Sequence, residues 1–474
     1  MKSPIYKKLA EKLAEQIHQD IYKISEKLPS IRYLAKQQKL SVSTVVMAYN
    51  LLEDWGLIEV KPKSGYYVKR TIHKQLSEPK IQSIKTSSPE MVTTSQLVMD
   101  VMRDSSNPKF VSLGAAIPAN DFPILLQLKK TFAQIVRTEA FLGIGYDSGK
   151  GNEELRRQLA RRATDAGVLV SPDEIVITAG CQGAIGLCLR VLCQPGDIVA
   201  VETPSYYGLL QLIESLGLKA IEIPSDPKTG MSIEALRLAL EQWPIKTILS
   251  VPSFSNPMGA LMPDENKRKL VDLLYEYDIP FIEDDIYGDL GYSEQRPKAV
   301  KAFDTKGQVL LCSSVSKVLE PQLGLGWVMP GRYIEKIEYE RFLSGSSHFC
   351  LPQLAVSDIL SKGSFDRHLR FARETYRSRR DRLKELVCQY FPEATRLSNP
   401  QGGFVAWLEL SNSLDSTAFY MRAKEKGIVV APGEIFSSNP EKYRHSVRLS
   451  YANEWTKDRE QAVKQLGELA HDLM

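Results

Sequence analysis

The sequence predicts a multidomain protein in which a small α+β head is joined by a linker to a large α/β body. Length is the first reason: 474 residues exceed the roughly 150 that one domain usually holds. Charge is the second. Residues 1–70 carry 13 Lys/Arg against 7 Asp/Glu, whereas residues 71–474 carry 48 against 50. Periodicity is the third, because short helical repeats dominate the head while strand-like runs alternate with helical ones in the body.

In the head, Ile5, Leu9, Leu13 and Ile17 recur every four positions and mark one face of a first helix. A second helix is expected at LPSIRYLAKQ, with Ser30 after Pro29 as its N-cap. A third begins at SVSTVVMAYNLLEDWG, where Ser41 caps, Val45, Tyr49 and Leu52 face inward, and Gly56 stops the run. LIEVKPKSGYYV then reads as two short strands about a turn. Three helices and a hairpin, in that order, make a winged helix-turn-helix over residues 1–70. The hydroxyls of Ser41, Ser43 and Thr44 cluster where a helix N-terminus favours phosphate, and the wing carries Lys61, Lys63 and Gly65. Taken singly, these features also suit a capped helix and a soluble hairpin. A basic head on a near-neutral body fits either a polyanion partner or a solvated charged surface.

Residues 71–93 are rich in Ser, Thr, Lys and Pro, lack periodicity, and read as a linker with no need of a packed core. The body, 94–474, begins with a helical TTSQLVMDVMRD and then FVSLGAAIP. EIVITAG, DIVAVE, TILSVP, PFIEDD and VLLCSSV are its strand candidates, and the helical runs between them argue for a mostly parallel sheet. Ligands of such sheets bind at the carboxyl ends of strands, where this chain places its polar clusters. ITAGCQGAIG turns from strand to helix with Cys181 and Gln182 at the helix start. VETPSYYG sets Tyr206 beyond a strand, and VPSFSNPMG sets Asn256 in a turn. PFIEDDIYG ends a strand in Asp284, with Tyr287 three residues on. SSVSK carries Ser314, Ser316 and Lys317, and HSVRLS carries Arg448. Each is ordinary alone: a turn, a packed ring or a solvated loop.

Composition limits the remaining classes. At 43% hydrophobic and 25% charged residues the chain is of ordinary globular type. No apolar run nears the ~20 residues of a membrane span. The start MKSPIYKKLAEKLAEQI carries Glu11 and Glu15, unlike a signal or transit peptide, so a cytoplasmic location is expected. The cysteines at 181, 188, 193, 312, 350 and 388 lack CxxC or Cys/His spacing; reduced thiols and no metal site are expected.

Two resemblances follow. LPS-x-R, the STVV helix, LLEDWGLI and SGYYV resemble the GntR winged-helix domain across residues 3–68. That resemblance implies Ser30, Arg32, Ser43, Thr44, Lys61, Lys63 and Gly65 as contacts to a double-stranded DNA operator, with one departure: Val42 stands where many members carry Arg. From about Val111 onward the ordered clusters, with GYDSGKGNEELRRQLA and APGEIF, resemble the class I aminotransferases of fold type I, which have large and small subdomains. This second resemblance implies pyridoxal 5′-phosphate bound to Lys317 as a Schiff base, with Asp284 on the ring nitrogen and Tyr287 and Asn256 on the phenolic oxygen. Tyr206 would stack on the ring. Cys181, Gln182, Ser314 and Ser316, with Tyr146 from a partner subunit, would hold the phosphate, and Arg448 would take a substrate carboxylate. Together the two parts resemble the MocR regulators.

The enzyme pattern has an Arg on the phosphate seven or eight residues after the lysine; here the position is Gly324. The expected function is therefore a homodimeric transcription regulator whose body senses pyridoxal phosphate, an amine or an amino acid through Lys317. A working aminotransferase with an accessory head is the alternative, and a body serving only to dimerise is a third possibility.

Overall fold

The computed structural model describes residues 4–18, 21–23, 26–54, 57–61, 64–68, 76–79, 88–92, 96–138, 149–344, 350–411 and 413–473. The chain divides into two compact units, Met1–Gln75 and Leu76–Met474.

The head contains α1 (Ile5–His18), α2 (Ile31–Gln38), α3 (Val42–Asp54), β1 (Ile58–Lys61) and β2 (Gly65–Val68). Leu9, Leu13 and Ile17 bury the expected face of α1, but Ile5, in its first turn, stays 63% exposed. Ser30 caps α2 by accepting from the Tyr33 amide at 3.3 Å, and Ser41 accepts from the Thr44 amide at 3.1 Å. Val45, Tyr49 and Leu52 are fully buried, and the Tyr49 hydroxyl donates to the Pro29 carbonyl at 2.7 Å. That bond ties α3 to the turn before α2 and satisfies a phenol otherwise costly to bury. β1 and β2 pair antiparallel, Ile58 opposite Val68 and Lys61 opposite Gly65. Gly56 and Lys63 lie outside the described residues.

In the second unit, the expected linker proves to be partly body. Leu76 packs on the core, the Leu397 amide donates to Ser77 O at 3.1 Å, and Lys228 pairs with Glu78. Residues Glu90–Met91 (β3) add a short antiparallel edge to the main sheet, and Val92 is buried. Polar composition marks exposed backbone well, but it cannot show that a few apolar residues have found a groove.

After a helix α4 (Gln96–Ser105) and a short strand β4 (Val111–Ser112), the main strands follow: β5 (Val176–Ala179), β6 (Ile198–Thr203), β7 (Lys219–Asp226), β8 (Gly230–Met231), β9 (Ile245–Ser250), β10 (Phe281–Asp284), β11 (Val309–Ser314) and β12 (Leu325–Met329). The order is β3-β7-β6-β9-β10-β11-β12-β5, with β8 on β7. The central run β7-β6-β9-β10-β11 is parallel, while β12 runs antiparallel to both neighbours. Helices Ile233–Gln242 and Asp264–Tyr277 supply a core on one face, and Gly180–Leu192 packs on the other. Strands buried on both faces explain why the sequence runs were continuously apolar rather than alternating.

The 27-residue helix Ser364–Tyr390 leads to a smaller antiparallel sheet of β13 (Arg396–Leu397), β14 (Val405–Glu409), β16 (Ala431–Pro432) and β17 (Ser446–Ser450), with β15 (Ile428–Val429) pairing instead with β4. An early strand of the second unit is thus bound to its C-terminal part. Among the described residues no helix is long and apolar enough to cross a membrane, and no cluster suited to a metal ion occurs. Cys181, Cys188, Cys193 and Cys312 are buried and form no disulfide among the described residues.

Candidate functional site

The carboxyl ends of β6, β9, β10 and β11 meet the start of helix Gly180–Leu192 around a cavity of about 280 Å³. Cys181, Gln182, Tyr206, Asn256, Asp284, Tyr287, Ser314, Ser316 and Lys317 all line it. Parallel pairing brings them together, because each strand of the run ends at the same edge. Tyr146 lies outside the described residues.

Asp284, the last residue of β10, is 5% exposed. Its Oδ1 accepts from the Cys181 thiol at 3.3 Å and from the Ile286 amide at 3.1 Å. Burial pushes its pKa up to about 6, against the pull of those two bonds. Its neighbour Asp285 turns the other way and pairs with Arg296, which also holds Asp289 at 2.6 Å. A buried carboxylate is costly unless paired; Asp285 has an ion pair with Arg296, whereas the hydrogen bonds to Asp284 among the described residues come from a thiol and an amide. The sequence reading has Cys181 as a phosphate ligand at the helix start; its thiol bond to Asp284 is a role that residue spacing cannot show.

Lys317 follows β11 and donates from Nζ to the Ala116 carbonyl at 2.7 Å. Burial pulls its pKa down to about 8, with the Arg448 charge adding and Asp284 opposing. Arg448, on β17, is 1% exposed. It donates to Asn256 Oδ1 at 2.9 Å and to the Gly114 carbonyl, and its guanidinium lies 4.9 Å from the Phe436 ring. Its Nε finds no acceptor among the described residues. A buried guanidinium with an unused N–H suits a carboxylate. The carbonyls of Gly114 and Ala116 carry no side-chain signal, so sequence reasoning missed them.

The opposite end of the cavity is neutral. Helix Gly180–Leu192 starts without a side-chain cap, which leaves first-turn N–H groups and the positive end of the helix dipole for an anion. Ser316 N donates to Ser314 Oγ at 3.0 Å. Gly324 sits on the cavity wall at φ +55°, and a β-carbon there would meet nothing within 4 Å. Among the described residues lining the cavity, Lys317 is the one cation.

These residues fit a phosphorylated pyridine aldehyde. The Tyr287 hydroxyl is buried with no partner among the described residues, as a donor awaiting a ligand oxygen would be. Asn256, its oxygen taken by Arg448, has its NH₂ left to donate. An amine, an acceptor for a ring N–H and a helix N-terminus complete the set.

The sequence comparisons agree with this geometry. The aminotransferase class I and II family matches residues 116–466, and the gntR family of bacterial regulatory proteins matches residues 5–68. The uncharacterized HTH-type transcriptional regulator YjiR of Escherichia coli K12 is 39% identical over 469 residues, 99% of each chain.

This chain belongs to the MocR-like GntR regulators.

A second relative of the regulator, the uncharacterized HTH-type transcriptional regulator YdcR of the same organism, is 37% identical over 99% of each chain. The multiple substrate aminotransferase from Thermococcus profundus superposes with a TM-score of 0.74 at 29% identity, covering 81% of the regulator and 96% of that chain. The α-aminoadipate aminotransferase LysN from Thermus thermophilus, solved with N-(5′-phosphopyridoxyl)-L-leucine, gives 0.74 at 26% identity over 81% and 96%. The regulator is thus a DNA-binding transcription regulator whose body has the fold of pyridoxal-phosphate-dependent aminotransferases.

In its head, Ser41 Oγ lies 2.8 Å from Ser43 Oγ and 2.7 Å from Thr44 Oγ1. Arg32 is exposed. Lys61 sits 3.4 Å from Glu59 and 4.6 Å from the Tyr67 ring centre. Gly65 has φ +122°, and a β-carbon there would lie 3.0 Å from Lys27 Cε, so the wing needs glycine for its turn.

Proposed function

We propose that the regulator's body senses pyridoxal 5′-phosphate, together with an amine or amino acid that reacts with it, and that occupancy changes the affinity of the head for its operator. When bound, the cofactor supplies a carbonyl that captures amines and a ring that accepts electrons. The protein's own groups do the rest. Lys317 is the amine whose lowered pKa leaves part of it neutral at physiological pH. Asp284 would hold a proton on the ring nitrogen, Tyr287 and Asn256 would donate to the ring oxygen, and Tyr206 would cover the ring face. Ser314, Ser316, Gln182 and the N-terminus of helix Gly180–Leu192 would hold the phosphate, while Arg448 would receive an α-carboxylate.

One observation carries the sensing reading. Lys317 and Arg448, the two groups a ligand would engage, each hold a carbonyl of the same segment, Ala116 and Gly114. That segment is also tied through Ser450 N to Leu113 O and lies just after β4. A ligand that engages both side chains competes for both ties, which gives it a differential interaction with two states of the segment. A working aminotransferase would use the same side chains, but the missing cation beside Gly324 favours an exchangeable ligand over a resident cofactor.

The test is a spectral titration of the full-length protein with pyridoxal 5′-phosphate, borohydride trapping at Lys317, and operator binding with and without the cofactor and amino acids. Operator affinity unchanged by cofactor, while trapping at Lys317 succeeds, would remove the sensing claim. Turnover of an amino acid and a keto acid at an ordinary enzymatic rate would favour the enzyme instead. A homodimer is expected, to be checked by sedimentation.

A further inference from the structure

α3 is unusual for a helix that meets DNA. Its sequence, VSTVVMAYNLLED, contains no Arg, Lys, Gln or His. Its inward face is Val45, Ala48, Tyr49 and Leu52, all fully buried. The outward side exposes apolar groups among small polar ones: Val42 is 51% exposed and Met47 49%, with Val46 partly exposed between them and Ser43, Asn50 and Glu53 exposed. Val42 and Val46 stand one turn apart on one side, and Ser43 and Met47 on the next. Exposed apolar groups so placed on a solvated helix gain nothing unless something covers them.

The head that carries this helix is basic. Arg32, Lys36 and Lys39 of α2 and its C-cap are exposed, as is Lys61 of the wing, in a head with 13 Lys/Arg against 7 Asp/Glu. Exposed apolar groups on a helix of a basic head complement the major groove, whose rims are phosphate and whose floor is apolar only where thymine presents its C5 methyl. Guanine is read chiefly by bidentate Arg or Lys at O6 and N7, and α3 has neither. Its one side chain capable of a bidentate base contact is Asn50, exposed on the same side, and that pairing belongs to adenine.

We infer that α3 selects A·T pairs at the positions it covers, with Val42 and Met47 seated on thymine methyl groups. The inference rests on the DNA-binding role of the head and adds to it the class of base that is read. Arg32, Lys36 and Lys61 supply sequence-indifferent affinity, so selectivity and affinity come from different residues.

The experiment begins with full-length protein and a random duplex library, followed by footprinting of the enriched site. Fluorescence anisotropy then compares duplexes in which single thymines under α3 are replaced by deoxyuridine, which pairs identically but lacks the methyl. Wild-type protein should lose about fourfold in affinity per contacted methyl, the value of one buried methyl-sized group. Met47→Ala and Val42→Ala should each become indifferent to deoxyuridine at one position while keeping their salt dependence. Both residues are exposed, so neither substitution threatens the fold. Val42→Arg should shift selection towards guanine at its position. Enrichment of G·C pairs under α3, or wild-type binding unaffected by any thymine replacement, overturns the inference. Failure to enrich any site overturns the DNA-binding reading itself.

Discussion

Placing an arginine at Gly324 should restore the cation that the phosphate end of the cavity lacks. The position faces the cavity, and a β-carbon there meets nothing within 4 Å, so the side chain has room to enter. A charge-assisted hydrogen bond to a buried group contributes about 1.5–3 kcal/mol, which corresponds to roughly tenfold to hundredfold tighter binding. The backbone cost is separate. Gly324 has φ +55°, and a left-handed conformation costs an L-residue about 1–2 kcal/mol; that penalty falls on folding and appears as a lower Tm rather than as weaker binding. Gly324→Ala therefore serves as the control, carrying the strain without the charge.

The assay is absorbance titration of the full-length protein with pyridoxal 5′-phosphate, repeated with inorganic phosphate as competitor and over a range of salt. Gly324→Arg should bind both ligands more tightly and with steeper salt dependence, whereas Gly324→Ala should match the wild type. A folded Gly324→Arg protein with unchanged affinity for both ligands would show that the anion does not sit beside residue 324. The assignment of the Ser314–Gly180 end as the phosphate end would then fail.

Three further outcomes are expected. Capture of the cofactor by Lys317 needs its neutral amine, so the borohydride-trapped yield at short times should rise with pH through about 8; Arg448→Met removes a charge that lowers that pKa and should move the rise to higher pH. Tyr49→Phe deletes the donor to the Pro29 carbonyl in the core of the head and should destabilise it by about 1 kcal/mol, read by calorimetry of the full-length protein as a lower Tm for the head's transition. Lys61→Ala should weaken binding to all duplexes alike and reduce the slope of log affinity against log salt by about 1.

The parts of the molecule legible in the sequence were those governed by local rules. Ser30 and Ser41 could be read as caps because small hydroxyl residues before a periodic run have few other uses. The strands ending in Asp284 and Ser314 could be read because both their faces are buried, so every residue in the run is apolar until the edge is reached. The cavity residues were legible only as an ordered set, since an Asn-Pro turn or a tyrosine after a strand has an ordinary explanation. What stayed hidden was long-range or carried by backbone. Nothing about Leu76 or Glu78 in a polar stretch indicates that they dock on the body. Nothing in Gly114 or Ala116 indicates that their carbonyls hold Arg448 and Lys317. The Cys181 thiol reaches Asp284 across 103 residues of chain, a pairing that only the order of the strands in the sheet creates.

The carbonyl of Ala116 also sets the size of any signal. While Lys317 donates to it, the carbonyl is satisfied; once the amine is engaged by a cofactor, it must find another donor or move. A buried polar group left without a partner costs about 1–3 kcal/mol, the same range as typical couplings between sites, so the lost bond alone is enough to bias the segment that follows β4. The consequence is measurable without knowing the operator. The amides of Val111 and Leu113 donate to the carbonyls of Gly427 and Val429 at 2.8 Å, and their hydrogen exchange reports how firmly the strand is held. Adding pyridoxal 5′-phosphate should speed exchange across 111–117 in the wild type and leave it unchanged in Lys317→Ala, which has no tie to break. If exchange slows in both proteins, the ligand clamps the segment instead of releasing it, and the sensing signal runs by another route than the lysine.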